Sequence, residues 1–366
     1  MLRVALYTTF CAAASAFAPT GSPARSSALS AAGGHAVIIQ NKGGGHGEIG
    51  FHLAKALSAK DMDVTLVQDA SAKKDALPFS KYAAELPGGV TTTWCDMGDA
   101  AAVSAACAVD GATHVFDNFS KKPSDAAPMI GAADAAGAFY AYVSSAGMYT
   151  RKGVLKETHA VKDPPTGQRE VELALEAALP GKWCAFRPQY IYGPYTNKRD
   201  YLDWFLNRAA RDLPMAVPAD AQQPASVTHA EDVAALIASC VGNEADAGGE
   251  IFNCGTDKMC SYDDLCLAAA KALGKPEALV VALPPDTKSS FPLRPNAEGF
   301  AVRTRKAKDV LGWGGAKHNV LDDLAGFYTQ DFLALGLDKG DLDTSKDELD
   351  KCENMVQDYG ARGVHL

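Results

Sequence analysis

The chain has 366 residues, 47% of them hydrophobic and 22% charged, with a formal net charge of −9. That length suits one large α/β domain with a second lobe and is short for three ordinary domains. Past the first eighteen residues no apolar run approaches the roughly 18 to 20 residues of a spanning helix, which argues against an integral membrane protein. The acidic balance argues against polyanion binding through the field of the whole protein, but leaves room for a local basic groove.

The first residues read as a targeting leader. Arg3 supplies a positive charge, Val4 to Ala18 is apolar and small, and Ala14, Ser15 and Ala16 form an A-x-A cleavage site before Phe17. From there to Gly34 the chain is rich in Ser, Ala and Pro, carries Arg25, and holds no acid; Glu48 is the first acidic residue. This resembles the bipartite plastid presequence of algae whose plastids lie inside additional membranes, so a plastid stromal destination is expected, with a plain secretory signal as the alternative. Nine cysteines show no C-x2-C spacing, so reduced free thiols are expected and a zinc site is not.

In chain order, His35–Gln40 is a short apolar strand, followed by a glycine cluster and a helical pattern from Ile49 to Leu57. Further strands are expected at Asp63–Gln68, Val90–Trp94, Thr113–Phe116 and Phe139–Val143, with Ala-rich helices between them. Alternation of this kind implies an α/β fold, a Rossmann-type doubly wound parallel sheet with right-handed crossovers. Beyond Gly193, helices are expected over Tyr201–Ala210, Ala230–Val241 and Tyr262–Leu273, with Pro-rich loops at 214–224 and 284–295. The expected organisation is a leader over 1–33, a dinucleotide-binding domain over 34–192, a smaller mixed α/β lobe over 193–330 interleaved with the last sheet strands, and a charged tail over 331–366, read as a peripheral helix or extension.

Gly44, Gly47 and Gly50 give G-x-x-G-x-x-G between the first strand and helix, where the backbone must turn sharply and let a pyrophosphate reach free helix N–H groups. Asp69 closes the second strand, where an acid would bond the adenosine ribose; its alternative is a turn cap. Asp96, past the third strand, stands where an adenine amino group or a helix cap would use it. Lys73 and Lys74 lie nearby, so NAD and NADP both remain open as cofactors.

Five later segments then recur in order. Val143 to Tyr149 (V-S-S-A-G-M-Y) resembles the fifth-strand motif of the extended short-chain dehydrogenases, and Phe186 to Pro194 (F-R-P-Q-Y-I-Y-G-P) their sixth-strand motif. V-T-H-A-E-D-V-A from Val227, I-F-N-C-G from Ile251 and K-A-K-D-V-L-G-W from Lys306 continue the series. The resemblance implies that Ser145 is vestigial or positions a substrate, and that Pro188 borders the cofactor. It also implies a Tyr held ready by a Lys four residues on, yet none of the twelve tyrosines has Lys at that spacing. If Glu172 marks the family's helix, Pro164 and Gln168 stand in their places. The catalyst is lost and the fold kept.

The chain is similar to the chloroplast stem-loop-binding proteins, an atypical branch of this superfamily, in Gly44–Gly50, Ser144–Tyr149, Phe186–Tyr190, Asn197 and Lys198, Trp204 and Phe205, and Ile251–Cys254. That resemblance implies plastid RNA and ribonucleoprotein partners, assembly with itself or a paralogue, and a stem-loop endoribonuclease aided by a divalent metal such as Mg; it identifies no cutting residue or metal ligand. For RNA or substrate contact, the cations beside the expected cleft are Arg151, Lys152, Lys198, Arg199, Arg294 and Arg303, with Lys156, Arg208, Arg211, Arg305 and Lys306 near them. Tyr195, Tyr201, Trp204 and Phe205 offer stacking surfaces. Solvated helix faces and core aromatics are the alternative for each. Two rival readings stay open: an NAD-dependent nucleotide-sugar epimerase or dehydratase, with Arg294 as a diphosphate-binding residue, and a non-catalytic assembly factor that senses cofactor redox state.

Overall fold

The computed structural model describes residues 33–40, 48–196, 198–218, 224–283, 289–294, 298–342 and 361–365. The leader up to residue 32, Gly44, Gly47, Asn197, parts of both Pro-rich loops and most of the tail lie outside them.

β1 (His35–Gln40), β2 (Asp63–Asp69), β3 (Val90–Cys95), β4 (Ala112–Asn118) and β5 (Phe139–Val143) are linked by helices α1 (Ile49–Ser58), α2 (Tyr82–Glu85), α3 (Ala100–Cys107) and α4 (Pro123–Ala136). β1 is apolar and buried from Ala36 to Ile39, as a strand covered on both faces must be. α3 starts where Asp99 accepts from the N–H groups of Ala101 and Ala102. α4 carries Pro123 in its first turn and stops at Gly137, whose φ of 68° a side chain would resist.

After β5 come β6 (Gly153–Leu155), α5 (Gly167–Ala178), β7 (Trp183–Pro188) and β8 (Ile191–Tyr192). The chain then crosses into the lobe as α6 (Asp200–Ala210) and β9 (Met215–Pro218), and returns through β10 (Thr228–His229), α7 (Ala230–Ala238), α8 (Glu244–Ala247) and β11 (Glu250–Cys254). It leaves again as α9 (Tyr262–Ala272), β12 (Glu277–Leu283), β13 (Phe300–Val302), α10 (Arg305–Leu311), α11 (Val320–Asp323) and α12 (Thr329–Ala334). The main sheet has seven strands in the order β3-β2-β1-β4-β5-β7-β11, every neighbouring pair parallel. This is the doubly wound α/β fold expected from the alternation of elements, and its last strand comes from the lobe segment.

One core layer packs α1 and α7 onto the sheet through Leu53, Leu57, Val233, Ile237 and Phe252; a second lies under α3, α4 and α5 through Val103, Met129, Val171 and Leu175. The lobe has its own core around Phe205, Tyr262, Leu265, Val280 and Phe291. All seven described cysteines are free thiols, and six are buried: Cys184, Cys240 and Cys254 in the first layer, Cys107 in the second, Cys260 and Cys266 in the lobe.

The charged tail read as a helix or extension ends differently. Ala361–His365 forms β14 and pairs antiparallel with β12, which pairs parallel with β9. No helix among the described residues is long and apolar enough to cross a membrane.

Candidate functional site

The carboxyl ends of β4 and β5 open onto one mouth. β4 ends in a loop pinned by buried Asp117, which accepts from the N–H groups of Phe119 and Ser120 (2.8 and 2.9 Å) and from the Tyr140 hydroxyl (2.8 Å). The Tyr142 hydroxyl donates to the Ser120 carbonyl at 2.8 Å, which ties that loop to β5. Just past β5, the Ser144 hydroxyl donates to Glu172 at 2.7 Å, and Glu172 takes Arg187 from β7 on both oxygens.

This pairing fixes the register of α5. Glu172 is fully buried, so Gln168 lies one turn nearer the mouth and exposed Pro164 precedes the helix. Neither is ionisable. Nor does a neighbouring phenol take their part: Tyr149 donates to Asn253 Oδ1 at 2.8 Å, and burial raises its pKa. Burial likewise raises that of Tyr190. A phenolate base for hydride chemistry is absent from the described mouth.

Ser145 is half-buried and accepts from the Gly147 N–H at 3.0 Å, capping the turn Ala146–Met148. Arg294 reaches the same turn, donating to the Gly147 carbonyl at 2.7 Å and the Tyr149 carbonyl at 3.4 Å, with its guanidinium 3.7 Å from the Phe300 ring centroid. Its backbone N–H is bound by the Tyr190 hydroxyl at 2.7 Å. Arg151 and Lys152 follow the turn and are exposed. These three cations and Ser145 therefore share one side of the mouth.

Most of the other cations expected there are held elsewhere. β6 and β13 pair in parallel, Gly153 opposite Phe300 and Leu155 opposite Val302, so exposed Arg303 leaves the far end of the ribbon that Arg151 and Lys152 enter. Lys198 is exposed, but Arg199 is bound to Asp203 at 3.0 Å and lies 4.1 Å over Tyr328. Arg208 is buried and holds Ser290; Arg211 holds the carbonyls of Leu337 and Lys339; Arg305 pairs with Asp309 and Lys306 with Glu250. Trp204 and Phe205 are buried lobe core, and Tyr195 and Tyr201 are half-buried against it or its neighbour. For these residues amphipathic packing decides: long cationic stems and rings cover apolar surface.

The dinucleotide site divides. Gly50 is buried at the start of α1, where a Cβ would collide with the Gln40 carboxamide, and its N–H donates to Gln40 Oε1 at 3.1 Å. Gln40 also donates to Glu48 and accepts from Asn118. Asp69 ends β2, half-buried, and closes a turn onto the Ser71 N–H and hydroxyl at 2.8 and 2.6 Å. Asp96 is exposed and closes a similar turn onto Gly98, while the cap of α3 is Asp99. Pro188 ends β7, half-buried, opposite Cys254. The strand order is that of a dinucleotide-binding sheet, but the Gly50 N–H is taken by Gln40 and Asp69 closes the turn that was its alternative reading, while Pro164 and Gln168 supply nothing for hydride transfer.

Glu48 lies inside the glycine motif and was missed as a site residue. Its carboxyl is fully buried and takes the Tyr82 hydroxyl at 3.0 Å and Gln40, with no cation against it among the described residues. Burial pushes its pKa up to about 8. The signal was there: a lone acid in a segment otherwise of Gly, His and Ile.

Among the described residues one trio, His229, His318 and Asp323, brings ligand-type atoms within 4.8 Å of one another. It does not fit a resident metal. His229 Nδ1 accepts the Glu231 N–H at 3.1 Å, which puts the proton of a neutral ring on Nε2 and leaves no free lone pair. His318 sends Nε2 to Glu231 at 3.2 Å and Nδ1 toward Asp323 at 3.6 Å, stacks on His229 at 3.7 Å, and has its pKa raised by the Asp323 carboxylate against the opposing effect of burial. Two carboxylates facing both nitrogens describe an imidazolium.

No protein-family model matches the chain. Over 332 residues, 86% of this chain and 84% of the relative, it is 28% identical to the chloroplast stem-loop binding protein of 41 kDa b of Arabidopsis thaliana. The chain is a homologue of a chloroplast stem-loop binding protein. Its fold is that of the NAD-dependent epimerases and dehydratases. A dTDP-glucose 4,6-dehydratase from Bacillus anthracis, solved with NAD, superposes with a TM-score of 0.63 at 13% identity over 83% of this chain and 99% of that one. A putative epimerase from Burkholderia cenocepacia gives 0.61 at 18% identity over 80% and 95%. The solved structures establish the fold alone.

Proposed function

We propose that the chain binds structured plastid RNA on a dinucleotide-type scaffold that has lost its hydride chemistry. One observation carries this reading: Glu172, paired with Arg187, fixes α5 so that Gln168 and Pro164, neither of them ionisable, lead to the mouth, and exposed Arg151 and Lys152 stand beside it with Arg294. The stem-loop binding homologue supports it. A plastid stromal destination through a cleaved leader, ribonucleoprotein partners and self-assembly belong to the same reading. The adenosine half of an NAD-type cofactor would rest on Gly50 and Asp69. Stem-loop cleavage is the finer proposal; the His229 trio does not fit a divalent metal for it.

The test is binding of the full chain to a labelled RNA stem-loop across a salt titration, with and without magnesium. Salt-sensitive binding supports the reading, since each phosphate contact contributes about −0.7 to −0.9 to the log–log slope. Shortened RNA would add cleavage. No binding at low salt would overturn both. Arg294 at the Ser145 mouth keeps a second reading, a nucleotide-sugar epimerase or dehydratase, which turnover of such a sugar would establish.

A further inference from the structure

We propose that Lys121 and Lys122 form a second phosphate-binding wall facing Arg151, Lys152 and Arg294, so that the RNA backbone crosses the mouth over the place of the missing dyad. The proposal rests on the RNA-binding reading above and adds where the strand runs.

Both lysines leave β4 at its carboxyl end, immediately after the loop that Asp117 pins. Both are exposed. The Lys122 ammonium has only a 4.0 Å contact to Asp125, and that of Lys121 has no partner among the described residues. An exposed pair of this kind holds a side chain weakly, so the charge is available to a ligand. Their backbone is not loose. The Lys121 N–H donates to Asp125 at 3.1 Å, and the Lys121 carbonyl lies so close to Gly167 that a Cβ there would strike it. Gly167 opens α5, one residue before Gln168. The lysine pair is thus clamped against the helix end that would carry the dyad, while Tyr142 ties the preceding Ser120 to β5.

On the opposite wall, Arg294 is fixed by the carbonyls of Gly147 in the Ala146–Met148 turn and of Tyr149 just after it, and Arg151 and Lys152 follow. In this proposal the two sets of cations would flank Ser145, Pro164 and Gln168, none of which is charged at neutral pH. Cations on fixed backbones along a neutral floor suit a phosphodiester chain, whose charges repeat along its length. The end of the strands is also where a doubly wound sheet receives its ligands.

The test compares the full chain with K121Q/K122Q, R151Q/K152Q and a control pair at the amino edge of the sheet, K60Q/K182Q, for stem-loop binding over a salt titration. Loss of two phosphate contacts is expected to flatten the log–log slope by roughly 1.4 to 1.8 in each site pair and to leave the control unchanged. K121R/K122R, which keeps both charges, is expected to bind as the unaltered chain does; an unchanged thermal midpoint shows that each variant is folded. Should the unaltered chain bind and K121Q/K122Q match it in slope, this wall is wrong and the RNA reading stands. Should the unaltered chain show no salt-sensitive binding, both fall.

Discussion

Glu172 of α5 and Arg187 of β7 meet as two parallel hydrogen bonds, Arg187 Nε to Oε1 at 2.9 Å and Nη2 to Oε2 at 2.7 Å, with both side chains shut away from water. Arg169 and Ser144 complete the shell of the carboxylate. Removing one partner of such a pair strands the other charge in the interior. Glu172→Ala is therefore expected to cost about 3 to 5 kcal/mol of stability, read as a fall in the denaturant midpoint. A change below about 1 kcal/mol would show that water reaches Arg187.

Gly167 sets a second expectation. A methyl group there must push against the Lys121 carbonyl, which is backbone and does not swing away. Gly167→Ala should destabilise the chain by about 1 to 3 kcal/mol despite the better helix propensity of alanine. A stabilised variant would mean that the Lys121 loop yields.

The neutral carboxyl of Glu48 predicts a pH dependence. Its pKa is 4.5 in an unfolded chain and about 8 in the fold, so only the unfolded state gains by ionising between those values. The contribution is fully present below pH 4.5 and is lost as pH rises to about 8, at up to about 1.4 kcal/mol per pH unit. Glu48→Gln keeps an acceptor for Tyr82 and Gln40 and should flatten unfolding free energy against pH across that window. An unchanged profile would show Glu48 to be ionised in the fold.

His318 acts further up the scale. Asp323 first, and then Asp232 and Glu231, raise its pKa above 6.5, so its stabilising contribution is complete below that pH and lost as pH rises through the folded value. Burial holds neighbouring His52 at about 4 and His229 at about 3, so both stay neutral there. His318→Gln should remove the loss on the alkaline side without altering the acid side. Histidine proton resonances that show His318 titrating below 6.5 would contradict the assignment.

The sheet was legible because its signal is local. The runs at His35–Gln40 and Phe139–Val143 are buried on both faces and needed no partner to be recognised. The helix at 230–241 stops three residues early, at Ala238, after which backbone N–H groups turn back onto Leu236 and Ile237. The place of α5 was legible as well: Glu172, singled out in the sequence, lies in that helix and pairs with Arg187 of β7. What sequence could not supply was direction. Arg151 and Arg303 look equivalent until the parallel ribbon of β6 and β13 sends them to opposite ends, and Arg199 looks available until Asp203 and Tyr328 claim it. Nothing in the sequence singles out Lys121 and Lys122; their position at the end of a strand gives them meaning, and a strand end is visible only once the strands are ordered.

The dispersal of the thiols gives the molecule a built-in set of clocks. Burial pushes Cys107 and Cys260 up to about 12 and raises Cys184 and Cys254 as well, so these sulfurs react with an alkylating reagent only after the surrounding layer has opened. Because Cys107, Cys184 and Cys260 stand in three different layers, the order in which they are labelled reports which face of the sheet, or the lobe, comes apart first.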